Sequence, residues 1–288
     1  MNRMLLADEW GISPAPHLGD TYFTCALAEA FLRAHGGRRV LVIVPPRLFP
    51  LLSLFPAGRI DPVDPATVEV PFRQGLGFRP GEPFHLRPVM HLGHFSTVYR
   101  GREVPFTQTY HDLLELPFPS FARPQVGPEI RAAAARRLEA AGLPRGRTVV
   151  LFPLSFSLTS FPVSLWTAIA GRFAERGLAV ATNVAAEGDF CLPGTAPLVI
   201  PVDELIPICE LAGTAVAARS GVCDVLSSAR VDLRILYQRP EWEWRPMPGV
   251  ALQWDLAACG LDDAATYFRM GSAEAPASFV DRVVERAP

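Results

Sequence analysis

The stretch LAGTAVAARSGVCDVLSSARVDLRILY, residues 211–237, decides the predicted fold. It contains a short apolar strand at 214–218, an Arg-Ser-Gly turn at 219–221, a segment with helical spacing, and a second apolar strand at 233–237. Strand, glycine turn, helix and strand together form a βαβ unit. Ligands of open α/β sheets bind at the carboxyl ends of the strands, and this turn follows the first strand at that end.

The turn at 219–221 has the features of a phosphate-binding segment. The helix would begin at Ser220 and Gly221, and the unpaired N–H groups and dipole of a helix start attract phosphate. Arg219 would add a positive charge beside them. A simpler interpretation is that Ser220 only caps the helix and Gly221 only allows the turn. The residues alone leave both interpretations open.

The composition describes a soluble globular protein with space for two domains. The chain has 288 residues, 49% hydrophobic and 19% charged, with a formal net charge of −2. A chain of this length usually divides into two domains. Because there is no basic excess to neutralise phosphates, we predict no nucleic-acid partner. All 27 basic residues are arginine, which excludes lysine-based chemistry.

The cysteine pattern is that of a cytoplasmic protein. The five cysteines are odd in number and scattered, without a Cys-x-x-Cys pair, so we predict buried thiols and neither a disulfide framework nor a zinc site. The first ten residues, MNRMLLADEW, lack the apolar core of a signal peptide. No window approaches the roughly 20 apolar residues of a membrane span, so membrane contact could only be peripheral.

Strand and helix patterns alternate along both halves of the chain. In the first half a Pro/Gly-rich turn is predicted at 11–20. The elements predicted after it are a helix at 21–34, a strand at 39–44, a helix at 48–54, the start of another unit at 58–63 and a helix at 129–141. In the second half they are strands at 148–152, 179–183 and 198–202, helices at 163–176 and 203–211, the βαβ unit, and a helix at 279–286. We therefore predict an α/β fold of two Rossmann-like domains, 1–143 and 144–288. The C-terminal helix could pack back on the first domain.

Residues 71–125 are predicted to be irregular apart from a short helix at 110–114, and they contain four of the six histidines. His91-x-x-His94 could suggest a metal site, but no third or fourth ligand stands at a characteristic spacing. Loops held by a rigid scaffold often carry specificity, so these histidines are predicted to line a substrate pocket.

Two separated segments resemble one family. The segment His17-Leu18-Gly19-Asp20-Thr21, with the helix, Gly-Gly break and RVLVIV strand after it, is similar to the start of the bacterial heptosyltransferases, which are glycosyltransferase family 9 enzymes. The second half is similar in order. It has a strand ending in a Ser/Thr-rich loop, a helix with Phe161-Pro162 and Trp166, a strand, an acidic-started helix and a Ser-Gly turn. The resemblance covers residues 15–60 and 145–240.

The resemblance implies the GT-B architecture, in which two Rossmann-like domains with parallel sheets face a central cleft. The first domain would lie on the acceptor side and the second would bind the nucleotide sugar. The implied activity is metal-independent inverting transfer from a nucleotide-diphosphate sugar to a hydroxyl of a glycan or small molecule, without a cofactor. The chain has no Asp-x-Asp motif, the usual metal–diphosphate clamp, which agrees with this.

Site residues follow from the resemblance. Asp20 would be the general base that deprotonates the acceptor, although it could also cap a helix beginning at Thr21. Asp224 would accept a hydrogen bond from the donor sugar or favour the first helical turn, and Asn183 would contact the nucleoside or serve in a turn. The donor-binding residues would be Ser155, Ser157, Thr159, Asn183, Arg219, Ser220, Gly221 and Asp224. The acceptor-side residues would be His17, Gly19, His91 and His94.

The chain also departs from the family. Heptosyltransferases carry a lysine in the loop corresponding to 155–160, and Arg219 or another group would have to replace it here. The usual histidine of the glycine turn is absent, with Asp224 nearby instead. These departures keep open an alternative, a catalytically inactive GT-B-like protein that binds sugar nucleotides or carbohydrates. Trp242, Trp244 and Trp254 could stack on a nucleobase or sugar, or close the core.

Overall fold

The structure is a computed structural model. It describes residues 5–56, 58–68, 71–73, 77–155, 161–186, 188–237, 249–261, 265–271 and 273–285. The chain forms two compact units, and each consists of two segments. The first unit is Met1–Gln125 with Glu243–Leu261, and the second unit is Val126–Trp242 with Asp262–Pro288.

Strands and helices alternate in both units. The strands are β1 (Glu9–Pro14), β2 (Arg39–Ile43), β3 (Ile60–Val63), β4 (Pro83–Leu86), β5 (Glu103–Pro105), β6 (Thr148–Phe152), β7 (Ala179–Val184), β8 (Ala196–Val199), β9 (Gly213–Ala218), β10 (Asp232–Tyr237), β11 (Ala251–Gln253) and β12 (Thr266–Arg269). The helices are α1 (Leu18–His35), α2 (Phe49–Leu52), α3 (Leu92–Tyr99), α4 (Gln108–Leu113), α5 (Pro128–Ala140), α6 (Val163–Glu175), α7 (Leu205–Ala212), α8 (Gly221–Leu226) and α9 (Pro276–Glu285). The predicted α/β class is confirmed.

The first unit contains a parallel sheet in the order β3-β2-β1-β4. Its central strand, β1, lies in a segment that was predicted to be a turn. The prediction is wrong because Gly11 serves packing there. A Cβ atom on Gly11 would stand 3.0 Å from the Cα atom of Pro83, so the glycine lets β4 approach closely. Residues 71–125, predicted to be irregular apart from a short helix at 110–114, supply β4, β5, α3 and α4.

The second unit contains a six-stranded parallel sheet in the order β12-β10-β9-β6-β7-β8. Chain order runs outward from β6 through β7 to β8 on one side and through β9 and β10 to β12 on the other. This is the strand order of doubly wound α/β domains. All five residues of β6 are buried, as expected for a strand that is covered on both faces.

Helices cover both faces of this sheet. On one face, Trp166 and Phe173 of α6 pack in one apolar cluster with Phe279 and Val283 of α9. On the other face, α7 packs against β6 and β9, and α5 packs on α7. The interpretation in which the C-terminal helix returns to the first domain is wrong, because the apolar side of α9 is buried within the second unit.

A different segment returns to the first unit. In residues 249–261, β11 pairs with β5, and the indole of Trp254 stacks on Phe106 with ring centroids 4.0 Å apart. The Oγ1 of Thr107 donates to the carbonyl of Cys259 at 2.7 Å. The first unit also ends at Gln125, so α5 belongs to the second unit instead of the first. Trp254 therefore packs, partly buried, within the first unit.

All five cysteines are free thiols, and four of them are buried. Burial raises the pKa of the Cys223 thiol to about 11, which makes it a packed thiol and a poor nucleophile. No helix within the described ranges is both long enough and apolar enough to cross a bilayer.

A buried carboxylate fixes the amino end of the first sheet. Glu9 is 1% exposed and accepts hydrogen bonds from the N–H of Leu6 at 3.0 Å, from Arg38 at 2.8 Å and from Arg39 at 2.7 Å. Burial raises the pKa of Glu9, but these hydrogen bonds outweigh it and lower the pKa to about 2. Arg39 also contacts Asp61 at 2.5 Å, so charged groups join β1, β2 and β3.

We expect Glu9→Gln to lower the free energy of unfolding of the first sheet by roughly 2 kcal/mol at neutral pH, because two arginines lose their buried carboxylate. A lowered pKa stabilises the fold fully above the ordinary value of 4.5, and this contribution disappears as the pH falls toward about 2. The difference between the proteins should therefore shrink below pH 4.5. Native-state hydrogen exchange of the β1 and β2 amides measures it.

Glu82→Gln is the matched control, since Glu82 is 49% exposed in its pair with Arg73. It should change the same amides by less than about 1 kcal/mol. Equal losses in the two variants would contradict the structural role of Glu9.

Candidate functional site

In each main sheet, the direction in which successive strands are added reverses at one strand. In the first unit β1 lies between β2 and β4, and in the second unit β6 lies between β7 and β9. After each of these strands the chain first forms the neighbour on one side, which is β2 or β7. It forms the neighbour on the other side, β4 or β9, later in the sequence. A crevice opens at the carboxyl ends of the two strands at such a reversal point, and open α/β sheets bind their ligands there.

Asp20 lies at the reversal point of the first sheet. β1 ends at Pro14 and α1 begins at Leu18, so Asp20 is in the first helical turn. The interpretation in which Asp20 caps a helix starting at Thr21 is wrong. The N-cap is His17, and the N–H of Thr21 donates to the carbonyl of His17 at 3.0 Å.

The carboxylate of Asp20 is bonded to a tyrosine. Tyr110, in α4, is 0% exposed, and its hydroxyl donates a hydrogen bond to Oδ1 of Asp20. Its ring lies 5.4 Å from that of Phe23 and 5.3 Å from that of Phe106. These contacts fix the position of the hydroxyl next to Asp20.

Arg87 approaches the same point from β4. It follows the last residue of that strand, and its Nη2 lies 3.5 Å from Oγ of Ser13 on β1. Burial raises the pKa of Asp20, whereas the hydrogen bond from Tyr110 and the electrostatic effects of His17 and Arg87 lower it. The Nε of Arg87 is buried and has no hydrogen-bond partner among the described residues, so it can serve a ligand.

Arg87 and Tyr110 were not among the predicted site residues. Both lie in the segment at 71–125 that has no clear periodicity. The one signal for Arg87 is the short apolar run PFHL directly before it, which forms β4. No local signal marks Tyr110, because its role depends on a tertiary contact with α1.

The histidines occupy different places in the first unit. His17 and Gly19 lie at the start of α1 beside Asp20. His91 ends a 3₁₀ turn after β4, and His94 lies in α3. Burial and the neighbouring His94 lower the pKa of His91. Acceptor contacts of these four residues stay a prediction.

His111 has a structural role. It is 0% exposed, its Nδ1 donates to the carbonyl of Thr107 at 2.8 Å, and its Nε2 accepts the N–H of Ser120 at 3.0 Å. Burial lowers its pKa, which keeps the ring neutral. Both ring nitrogens are therefore used within the unit.

The turn at 219–221 lies at the reversal point of the second sheet. β9 ends at Ala218, Ser220 is the N-cap of α8, and Gly221 is its first residue. Ser155, in the loop after β6, donates from Oγ to the carbonyl of Arg219 at 3.1 Å. The structure thus brings the loop after β6 to the turn after β9. Ser157, Thr159, Trp242 and Trp244 lie outside the described residues.

Arg219, which was predicted to add a positive charge beside the helix start, has a buried guanidinium. It is 3% exposed, and its guanidinium donates to Oδ1 of Asp224 at 2.7 Å and to the carbonyl of Ser220 at 2.7 Å. Asp224 is 4% exposed. Both charges are used inside the unit, so the expectations that Arg219 meets the phosphates and that Asp224 reaches a sugar are corrected. The pair instead holds the turn.

Near the carboxyl edge of this sheet, two buried polar atoms have no hydrogen-bond partner in the part of the chain that the structure describes. The Oγ of Ser220 and the Oδ1 of Asn183 are buried and meet no hydrogen-bond partner among the described residues. Ser220 makes no side-chain capping bond, so the interpretation that it only caps the helix is wrong. Asn183 lies within β7, so it is not a turn residue. Buried polar groups are normally satisfied, and a ligand can supply the missing partners.

Another arginine lies at the same edge. Arg269 ends β12 and is exposed, and its guanidinium carbon lies 4.9 Å from the ring centroid of Tyr237. Tyr237 and Arg269 are partners in the strand register, at the carboxyl ends of β10 and β12. The sequence analysis did not single out this residue.

An apolar groove of the second unit lies elsewhere. Its volume is about 770 Å³, and it runs between α6 and α9, where Leu165, Ala168 and Val280 line it. These helices cover a face of the sheet, whereas the polar residues above lie at its carboxyl edge. Within the described ranges no three His, Cys, Asp or Glu side chains form a metal-binding group.

The fold is similar to that of solved glycosyltransferases. The E. coli ADP-heptose lipopolysaccharide heptosyltransferase II gives a TM-score of 0.64 at 13% identity, covering 96% of this chain and 98% of that chain. The chain has a heptosyltransferase-like fold. The glycosyl transferase family 9 structure from Veillonella parvula DSM 2008 gives 0.58 at 13% identity, covering 98% of this chain and 92% of that one. The E. coli heptosyltransferase WaaC gives 0.54 at 14% identity, with coverages of 96% and 99%.

The resemblance predicted from the residues is therefore confirmed as a heptosyltransferase-like fold. No protein-family model matches the chain, and no curated protein matches it in sequence.

We expect the Arg219–Asp224 pair to stabilise the second unit. Arg219→Met and Asp224→Asn should each lower the free energy of unfolding by about 3–5 kcal/mol, because each leaves an unpaired polar or charged partner in the interior. The double variant Arg219→Met/Asp224→Asn should lose less than the sum of the two. Hydrogen exchange of the β9 and β10 amides measures these differences.

Arg131→Met is the control, because Arg131 is 52% exposed in its pair with Glu210. It should cost less than about 1 kcal/mol. Unchanged protection in Arg219→Met would show that this arginine is not needed to hold the turn.

Proposed function

We propose that the chain is a glycosyltransferase of GT-B architecture whose two units face each other across a cleft. The first unit holds the acceptor, a glycan or small molecule, and the second unit holds a nucleotide-diphosphate sugar. Transfer is inverting and needs no metal or cofactor, and it takes place in the cytoplasm. The observation that carries this proposal is the Asp20 carboxylate at the reversal point of the first sheet, in a heptosyltransferase-like fold.

In this reaction Asp20 is the general base. Its carboxylate takes the proton of the acceptor hydroxyl while the acceptor oxygen attacks the anomeric carbon from the side opposite the diphosphate. The carbon–oxygen bond to the diphosphate breaks, and the nucleoside diphosphate leaves with the electron pair. Burial, which raises the pKa of Asp20, makes it a better proton acceptor than an exposed aspartate.

The second unit stabilises the leaving group. Charge on the departing diphosphate is met by the first N–H groups of α8, by the Ser220 hydroxyl and by Ser155. Ser157 and Thr159 belong to the same proposed set. Arg269 takes the place proposed earlier for Arg219, because it is an exposed arginine at this edge. Asn183 contacts the nucleoside.

Two comparisons support a nucleotide-diphosphate donor. The fold is similar to that of an enzyme described as an ADP-heptose heptosyltransferase and to that of WaaC, whose structure was solved with ADP. We extend this class of donor to the present chain as part of the proposal.

A second candidate function is sugar-nucleotide or carbohydrate binding without catalysis. The burial of Arg219 against Asp224 favours it, because the nearest charge to the turn is already neutralised. The chain also contains no lysine to replace it. Binding of nucleotide sugars without transfer to any acceptor would support this candidate.

We expect Asp20→Asn to lower the rate of sugar transfer by about 10²–10⁴-fold, the usual contribution of a general base. Donor affinity should stay within about twofold, since Asp20 lies in the first unit. Thermal-shift screening with nucleotide sugars identifies the donor, and a transfer assay with candidate acceptors then measures turnover. Glu29→Gln, on the exposed side of the same helix, is the control and should keep full turnover. Normal transfer by Asp20→Asn would contradict the base assignment.

Ser220→Ala separates donor binding from helix capping. Its Oγ has no partner among the described residues, so its loss should change stability by less than about 0.5 kcal/mol and weaken nucleoside diphosphate binding by roughly fivefold to tenfold. Ser227→Ala is the matched control at the other end of α8, where Oγ donates to the carbonyl of Asp224 at 2.6 Å. It should lower stability and leave binding unchanged. Calorimetric titration with ADP, GDP and UDP measures the affinities.

A further inference from the structure

A second residue is hydrogen-bonded to the proposed general base. We propose that Tyr110 is the positioning residue of Asp20, whose hydroxyl holds Oδ1 so that the carboxylate meets the acceptor hydroxyl in one orientation. This inference rests on the proposed role of Asp20 and adds the residue through which that base is held.

The hydroxyl of Tyr110 has little freedom to move. Tyr110 is 0% exposed and lies between the rings of Phe23 and Phe106. The start of α4 is also fixed, because Thr107 donates to the carbonyl of Cys259 at 2.7 Å. A buried tyrosine hydroxyl needs an acceptor, and here it donates to a carboxylate. The bond therefore joins two rigid helices, α1 and α4.

The chemistry of the bond suits a base. A carboxylate has two oxygens, so a bond at Oδ1 leaves Oδ2 for another proton donor. A hydrogen bond to the ionised form stabilises that form against burial, and a fixed orientation adds to the rate. Titratable and charged groups face Asp20 from three sides, namely His17 at the start of α1, Arg87 after β4 and Tyr110 on α4.

The first unit contains a matched control. Tyr99 donates a hydrogen bond to Oδ2 of Asp112. The other oxygen of this carboxylate, Oδ1, accepts a hydrogen bond from Gln108 at 2.7 Å. Tyr99 is 7% exposed, and Asp112 lies on the same helix as Tyr110. Tyr99→Phe therefore removes a buried tyrosine–aspartate bond of the same kind without touching Asp20.

The decisive measurement is the titration of the Asp20 carboxyl carbon by NMR in protein labelled with ¹³C-aspartate, with the signal assigned by its loss in Asp20→Asn. In Tyr110→Phe the titration midpoint should rise by roughly one pH unit, because a hydrogen bond to the ionised form is lost. In Tyr99→Phe it should stay at the wild-type value. An unchanged midpoint in folded Tyr110→Phe would overturn the inference.

Tyr110→Phe keeps the ring that fills the core. Should it nevertheless fail to fold, wild-type protein labelled with 3-fluorotyrosine gives the same test in the opposite direction. The more acidic phenol is a stronger donor, so the midpoint of Asp20 should fall. Tyr99→Phe labelled in the same way should show the same fall, and no change in either protein would overturn the inference.

Transfer kinetics then separate this inference from the proposed function. Tyr110→Phe should lower kcat by roughly tenfold, with KM for the donor unchanged. The acidic limb of its pH–rate profile should move to higher pH. If Asp20→Asn keeps normal turnover, the base assignment fails whatever the NMR titration shows. If Asp20→Asn loses turnover but Tyr110→Phe keeps the wild-type acidic limb, the inference about Tyr110 fails alone.

Discussion

Parallel strand pairing is the constraint on which the candidate sites depend. In the described residues, all strand pairs of the two main sheets are parallel, so the carboxyl ends of the strands share one edge. Segments far apart in the sequence meet at that edge. Asp20 follows β1 and Arg87 follows β4, yet both face the same point. Ser155 and Arg219 meet in the same way after β6 and β9.

The two ends of β1 show how surroundings give two acidic side chains different roles. Glu9 at the amino end is bonded to two arginines, and its pKa is lowered to about 2. Such a group stays ionised and has a structural role. Asp20, beyond the carboxyl end, has a tyrosine as its hydrogen-bond donor, and burial raises its pKa. A carboxylate with that balance can exchange a proton, which is what a general base requires.

The predictable parts of the fold were those with a strong local pattern. The run TVVLF forms β6 over the predicted residues, and the helix predicted at 163–176 is α6 almost to the residue. β1 was not predicted, because its segment EWGISP contains glycine and proline. In the structure Gly11 allows close packing of the neighbouring strand. Asp20 could be singled out through a motif. Its partner Tyr110 could not, because a contact between two helices leaves no local pattern.

The surroundings of the arginines likewise could not be predicted from local sequence. Sequence position put Arg219 at the edge where a phosphate would bind, and the structure puts its guanidinium in a buried pair with Asp224. A buried charge needs a partner, so an arginine beside a buried aspartate is neutralised before any ligand arrives. Arg269, which ends the next strand but one, remains exposed at that edge.

For a chain without lysine, this distribution of charge has a consequence for the proposed donor site. In that proposal, a diphosphate at the turn would be held mainly by N–H and hydroxyl dipoles of fixed direction, with Arg269 at the rim. Fixed dipoles do not need to reorganise when charge develops on a leaving group, and they act most strongly where water is excluded. The buried pair contributes by holding those dipoles in place. In the proposed donor site, Arg219 would thus act through the shape of the turn, without any contact between its charge and the phosphate.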